Sequence, residues 1–328
     1  GAVVLEHLVG LPVASAGARF GDHPYAGMNP MTLLDALARR PLLSDGAMGT
    51  QLQLAGLEPG GCGEAWNLDH PARVLDIQRR YVEAGSDCLI TNTFGASRIM
   101  LERHGAADRT VEINGAAVEI AREAFGAAGG CGLRGIRPSR GLLEPYGDLS
   151  VARVEEAFGE QAEALVGAGV DAVIIETQTS LEELGIGLAA ARAAGARCVI
   201  GSMAFDEMRD SDEVRTMMGV SPERAAEYME AGGADVVALN CGTGVDMVKA
   251  AETVGRYRSV SDRPVMAQPN AGAPVLEEMR VVYKQTPDEM AAGLADLLAA
   301  GARIVGGCCG SGPEHIRALR AHLDGEAS

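Results

Sequence analysis

The sequence is poor in the features that mark nucleic-acid binding, membrane insertion and disulfide scaffolds. Of its 328 residues, 28 are Lys or Arg against 45 Asp and Glu, a formal charge of −17. No run of basic residues offers a local exception, so a phosphate backbone is repelled and nucleic-acid binding is not expected. No stretch reaches the roughly 18 apolar residues that a spanning helix needs. The apolar text from Ala2 to Ala18 is broken by Glu6 and His7, and it lacks a basic leader because the first Lys or Arg is Arg19. Neither a membrane span nor a signal peptide is expected. Seven cysteines, an odd number, are too sparse for a disulfide framework and point to a reducing cytoplasm. Aromatic residues make up only 4%, with a single Trp, which leaves little material for an aromatic cage around a cation. What remains is 47% hydrophobic and 22% charged, long enough for two average domains or for one closed α/β barrel of about 250 residues.

Pattern decides between these. A helical stretch ending in Ala-Gly or Gly-Gly runs at once into an apolar strand in EAGSDCLITNT, GAGVDAVIIET, AAGARCVIGSM, AGGADVVALNC and AAGARIVGGCC. Glycine caps the helix and the β-branched run reads as a strand buried on both faces. Strands are expected near Leu42 to Asp45, Asp87 to Asn92, Gly132 to Arg137, Val170 to Glu176, Arg197 to Ala204, Asp235 to Asn240, Arg263 to Gln268 and Arg303 to Gly307. Amphipathic stretches separate them, several opening on Ser, Thr or Asp plus Pro. Eight alternating units predict a single-domain α/β (β/α)₈ TIM barrel over residues 42–328, with an open doubly wound sheet as the alternative. Residues 1–41 are expected to form an N-terminal extension: an irregular arm, then a short helix from Met31 across the barrel floor.

In such a barrel the working residues follow the carboxyl ends of the strands. Those positions hold Asp45, Asn92, Thr93, Glu176, Thr177, Asn240, Cys241, Gln268, Asn270, Cys308 and Cys309. Adjacent residues in a strand point to opposite faces, so Cys308 and Cys309 can reach one point only if the strand has ended, which the flanking glycines allow. Three thiolates from Cys241, Cys308 and Cys309 would make a soft metal site, with zinc the first candidate and a fourth position open. A vicinal disulfide is the other reading. Zinc with three thiolates carries a net −1, which suits holding a substrate thiol as a nucleophilic thiolate better than activating water. Alkyl transfer onto sulfur is the implied chemistry. Asp45 and Glu176 can pair with a substrate ammonium, or else simply cap helices. Asn92 and Thr93 have the same capping alternative, and Cys62, Cys88, Cys131 and Cys198 read as small buried hydrophobes.

The strings SDGAMGTQLQ, EAGSDCLITNTFGASRIML, VDAVIIET, ALNCG, QPNAG and GGCCGSGPEHI, in this order, resemble the homocysteine-binding S-methyltransferase family. The likeness runs from about Leu42 to Leu323 and leans towards the homocysteine domain of the cobalamin-dependent methionine synthases. It implies zinc on Cys241, Cys308 and Cys309, and Asp45 and Glu176 holding the amino group of homocysteine. The turn of Gly46, Ala47, Met48 and Gly49 would lie beside its carboxylate, with Asn240 among the substrate contacts. A stand-alone methyltransferase making methionine follows, taking its methyl from methylcobalamin on a partner corrinoid protein. S-methylmethionine, betaine or another methyl-onium compound is the alternative donor, and Trp66 is a candidate for the cage betaine would need. A non-catalytic zinc- or thiol-binding barrel and a redox pair at Cys308 and Cys309 are the competing classes. One departure stands out: the loop after the third strand reads RGIRPSRGLLEPYG, with Arg137 and Arg140 where the family places small residues. Such arginines either pair with surface acids or face the mouth and alter what binds there.

Overall fold

Runs of Val, Ile, Leu and Ala that cannot be left in water pair side by side in the computed structural model, which describes residues 32–325 apart from 127–129, 140, 210, 212 and 278–279. The expected arm and Arg140 lie outside the described residues. The strands are β1 (Leu42–Leu43), β2 (Cys88–Ile90), β3 (Cys131–Ile136), β4 (Ala172–Gln178), β5 (Val199–Met203), β6 (Asp206–Glu207), β7 (Val214–Arg215), β8 (Val236–Asn240), β9 (Val265–Gln268), β10 (Pro274–Glu277), β11 (Arg280–Tyr283) and β12 (Ala302–Val305).

Eight of them form one parallel sheet in the order β1, β12, β9, β8, β5, β4, β3, β2. The first and last members meet across a seam held mostly by side chains. Asp87 N–H donates to the Leu43 carbonyl at 2.7 Å, and the Asp87 carboxylate accepts from Leu43 N–H at 2.9 Å. Asp45 Oδ2 accepts from Ile90 N–H at 2.8 Å. The sheet is therefore a nearly closed (β/α)₈ barrel, and the open alternative is excluded.

Alternation along each strand divides the apolar residues into two shells. Leu42, Leu133, Ala172, Ile174, Ile200, Val236, Ala238, Met266 and Ile304 fill the barrel interior. Their neighbours Leu43, Val173, Ile175, Val199, Val237 and Leu239 pack outward against the helices. This two-sided burial is why the strands read as unbroken apolar runs. The helix Leu33–Arg39, capped by Thr32, buries Leu33 and Leu37 against the interior layer, closing the floor. Ser221 and Thr286 cap helices that begin with Pro222 and Pro287. Among the described residues no helix is long and apolar enough to cross a membrane.

The differences from expectation lie at strand ends and in loops. β1 is shorter than expected, Leu42–Leu43, although Ser44 N–H still donates to the Val305 carbonyl and the Asp45 carbonyl still accepts from Gly307 N–H while the Asp45 carboxylate turns to the seam. β3, whose Gly- and Arg-rich text carries little pattern, runs Cys131–Ile136, one residue earlier than expected. Two hairpins, β6–β7 and β10–β11, rise from the loops after β5 and β9. They are too short, or too exposed, to show a buried alternation in sequence.

Candidate active site at the barrel mouth

Following the inward register to the carboxyl ends turns the interior polar. After Ala172 and Ile174 comes Glu176; after Val236 and Ala238 comes Asn240; after Ile200 comes Ser202; after Met266 comes Gln268; after Leu42 comes Ser44. Ser202 Oγ donates to Asn240 Oδ1 at 2.6 Å, and Gln268 Nε2 donates to Ser44 Oγ at 3.2 Å. At Gly306 an added Cβ would lie 2.0 Å from Ser44 Oγ, so only glycine lets β12 close on β1 here.

Above this polar layer the backbone strains. Thr177 and Cys241 have φ of 58° and 59°, the two non-glycine residues with positive φ among those described. Such conformations cost free energy and gather at functional sites. One side chain supports both segments: Asn240 Oδ1 accepts from Thr177 N–H at 3.0 Å while its Nδ2 donates to Thr177 Oγ1 at 2.7 Å. The same Nδ2 lies 3.8 Å from Cys308 Sγ. The amide of Asn240, expected among the substrate contacts, is thus engaged with β4, β5 and a cysteine.

Turning Cys241 into the left-handed region aims its thiol across the mouth. Past the end of β12, Cys308 N–H donates to the Pro269 carbonyl at 2.8 Å, and the Cys309 carbonyl accepts from Ala271 N–H at 3.0 Å. The strand has ended, so both side chains reach one point. The three Sγ atoms lie within 4.8 Å of one another, with Cys241 and Cys309 at 3.8 Å. A tetrahedral zinc with Zn–S bonds of about 2.3 Å sets its sulfurs about 3.8 Å apart. The cluster fits that ion.

Its electrostatics ask for a cation as well. Hydrogen bonds from Cys241 and Cys308 pull Cys309 down to about 3. Cys308 is pushed well above the usual thiol range by the same shared bonds and by burial. Cys241, eased by Cys308 but loaded by Cys309 and burial, is raised to about 11. The trio alone accommodates one negative charge, and ionising the other two requires a positive partner.

The carboxylates stand beside this cluster. Glu176 is raised to about 7, first by burial and then by the charge of Cys241, against the opposing pull of Arg137. Its Oε2 is buried without a hydrogen-bond partner and lies over Gly135, where a Cβ would sit 2.5 Å away. Asp45, 1% exposed, is held well above the usual carboxylate range by burial and by Glu176; Oδ2 is engaged at the seam and Oδ1 has no partner. In the turn that follows, Ala47 N–H is taken by the Ser311 carbonyl at 3.1 Å, and Tyr81 Oη donates to the Ala47 carbonyl at 3.2 Å. Met48 and Gly49 open the next helix, where first-turn N–H groups have no intrahelical acceptor.

Other candidates knit loops together. Asn92 Nδ2 donates to the Gly63 carbonyl at 2.7 Å, Thr93 Oγ1 donates to the Gly135 carbonyl at 3.1 Å, and Asn270 Nδ2 donates to the Gly242 carbonyl at 2.8 Å. Trp66 belongs to the core, 8% exposed, with His70 edge-on at 4.9 Å and Arg73 over its ring at 5.2 Å, so it lines no cage. Arg137 faces inward, its Cζ 4.3 Å from the centroid of Phe94. Tyr283, which sequence reasoning missed, arrives on the β10–β11 hairpin; it packs on Gly310 and helps to draw the Cys309 thiol down. The β10 strand is exposed throughout, so no buried period signals that hairpin beforehand.

Comparison with known proteins agrees with this geometry. The profile of the homocysteine S-methyltransferase family matches residues 42–323. A methionine synthase of Mycobacterium tuberculosis is 34% identical over 303 residues, covering 88% of this chain and 25% of that protein. The Mycobacterium leprae methionine synthase matches at 34% over the same shares; the chain thus spans a quarter of the length of these relatives. The metallated form of the Escherichia coli homocysteine methyltransferase MmuM superposes with a TM-score of 0.72 at 22% identity, covering 88% of this chain and 99% of that one. The profile takes in the whole barrel, from β1 to the last helix, and the chain belongs to the homocysteine S-methyltransferase family.

Proposed function

We propose that this barrel methylates the sulfur of homocysteine to give methionine, at a zinc ion held by Cys241, Cys308 and Cys309. The observation that carries the reading is the convergence of three thiols from two strand ends within 4.8 Å. Three protein ligands leave one tetrahedral position for a substrate. When bound there, zinc supplies the Lewis acidity that keeps a substrate thiol ionised near neutral pH while leaving it nucleophilic.

The rest is done by the chain itself. Asp45 Oδ1 and Glu176 Oε2, both buried without partners, suit the ammonium group, whose charge would bring both carboxyls back towards ionisation. The Met48 and Gly49 N–H groups suit the carboxylate. Asn240 fixes the left-handed turn at Thr177 and approaches Cys308, positioning the thiol cluster rather than the substrate. Tyr283 steadies Cys309 from above. For the donor we favour a methylated corrinoid carried by a partner protein or module, as the mycobacterial relatives are named methionine synthases and are about four times as long. A cationic methyl-onium donor is the second reading, and Arg137 bears on it below.

The test is metal analysis of the reduced protein, followed by titration with homocysteine under zinc-edge spectroscopy. One zinc per chain, gaining a sulfur ligand and releasing about one proton as homocysteine binds, is the expected result. Bound zinc that ignores homocysteine would refute the acceptor, and absence of zinc from protein prepared with the metal would refute the mechanism.

A further inference from the structure

This mouth ought to attract cationic methyl donors. Asp45 and Glu176 lie in it, three cysteines line it, and the whole chain carries −17. Besides negative charge, a sulfonium or quaternary ammonium needs an aromatic face to rest on. Phe94, half-buried after β2, offers one, and the guanidinium of Arg137 already lies over it at 4.3 Å.

Register puts Arg137 there. Along β3, Cys131 and Leu133 border the interior layer and Gly135 faces Glu176. Arg137 is the next inward position, just past the strand end. Its charge acts on Glu176 across the same space. Among the described residues, the other aromatics near this end are engaged elsewhere: Tyr283 against Gly310, Tyr81 at the Ala47 and Ser311 carbonyls, Phe205 edge-on to Tyr257, and Trp66 beneath Arg73 in the core.

We infer that Arg137 is a specificity-determining residue that excludes cationic methyl donors, filling the cation seat on Phe94 and leaving the mouth to an electrically neutral donor such as a methylated corrinoid. The inference rests on the proposed methyl transfer to a thiol. The bond changes are the same for either donor class. A carbon–sulfur bond forms to the acceptor as the donor's carbon–sulfur, carbon–nitrogen or carbon–cobalt bond breaks, the electron pair staying with the leaving group. What differs is whether a positive charge must enter beside a fixed guanidinium.

The experiment is calorimetric titration of the zinc-loaded full chain with S-methylmethionine as the sulfonium probe, comparing wild type with Arg137→Gln, Arg137→Met and Arg137→Lys. Removing a unit charge about 6 Å from the ligand in a half-solvated site is expected to tighten binding by at least about tenfold in the Gln and Met variants. Arg137→Lys, which keeps the charge, stays within about twofold of wild type. The Met variant preserves the stem over Phe94 and guards against a Gln variant that fails to fold. Equal affinities in all four proteins, or no binding by either neutral variant, would overturn the inference. Zinc-edge titration with homocysteine on the same proteins reports separately on the parent reading. A tightened sulfonium isotherm without a homocysteine response sinks the acceptor and spares Arg137, whereas the reverse sinks only Arg137.

Discussion

Three cysteines stand at each end of this barrel, and their environments differ. On the floor, Cys88 and Cys131 face each other across β2 and β3, and Cys198 sits just before β5, against the layer that includes Leu33 and Leu37. Bonding to Cys131 and burial push Cys88 well above the thiol range, and burial takes Cys198 up to about 12, with the Asp235 charge adding to it. These thiols behave as small hydrophobes. At the mouth Cys241, Cys308 and Cys309 follow strand ends, where a left-handed residue and glycines free the chain from the ladder, and one of them is drawn down to about 3. Residue type does not separate the groups. Backbone does, because a regular strand sends neighbours apart while an ended strand lets them converge.

The sharpest way to break that comparison is Cys308→Ser. It is expected to abolish stoichiometric zinc and to lower methyl transfer by far more than the about 100-fold that changes around a ligand sphere cost, while circular dichroism stays that of a folded barrel. Full activity in the variant would place the mouth cysteines with the floor ones.

A second difference is measurable as stability against pH in the metal-free protein. Glu176 is raised from 4.5 to about 7 by burial and the nearby Cys241. The folded state therefore holds this proton more tightly than the unfolded chain. That contribution is fully present below 4.5 and is lost as pH rises through about 7, on the order of 3 kcal/mol across the window. Urea unfolding at either side of the window should show wild type losing stability with rising pH and Glu176→Gln losing much less. Parallel slopes would mean that Glu176 is solvated like an ordinary surface acid.

The barrel was legible because both shells of each strand are apolar and the glycine caps recur in phase; even the short helix at Leu33–Arg39 shows in the text MTLLDALARR. The cysteine trio was legible for a geometric reason, since a Cys pair at a strand end among glycines has one useful arrangement. Asp45 was legible as a strand-end acid but not as the acceptor for Ile90 N–H, because barrel closure brings together residues far apart in the chain. Arg137 was visible as a departure at the end of a strand read to within one residue, yet its seat on Phe94 was not, because that ring comes from a different loop. Tyr283 reaches Cys309 on a hairpin whose β10 strand is exposed throughout, and an exposed two-stranded ribbon leaves no hydrophobic period to read.

The smallest expected effect comes from the floor, and it isolates what burial alone does to a cysteine. Cys198 is 3% exposed beside an apolar layer, so Cys198→Ser replaces a soft, weakly polar atom with a hydroxyl that must be taken out of water there. About 1–3 kcal/mol of stability should be lost in urea unfolding, with zinc content and the homocysteine response unchanged. The same chemical substitution at Cys308 removes a ligand, and at Cys198 it only wets a dry layer. Should Cys198→Ser also strip the metal, the two ends of the barrel would be coupled, and the division between a packed floor and a reactive mouth would have to be redrawn.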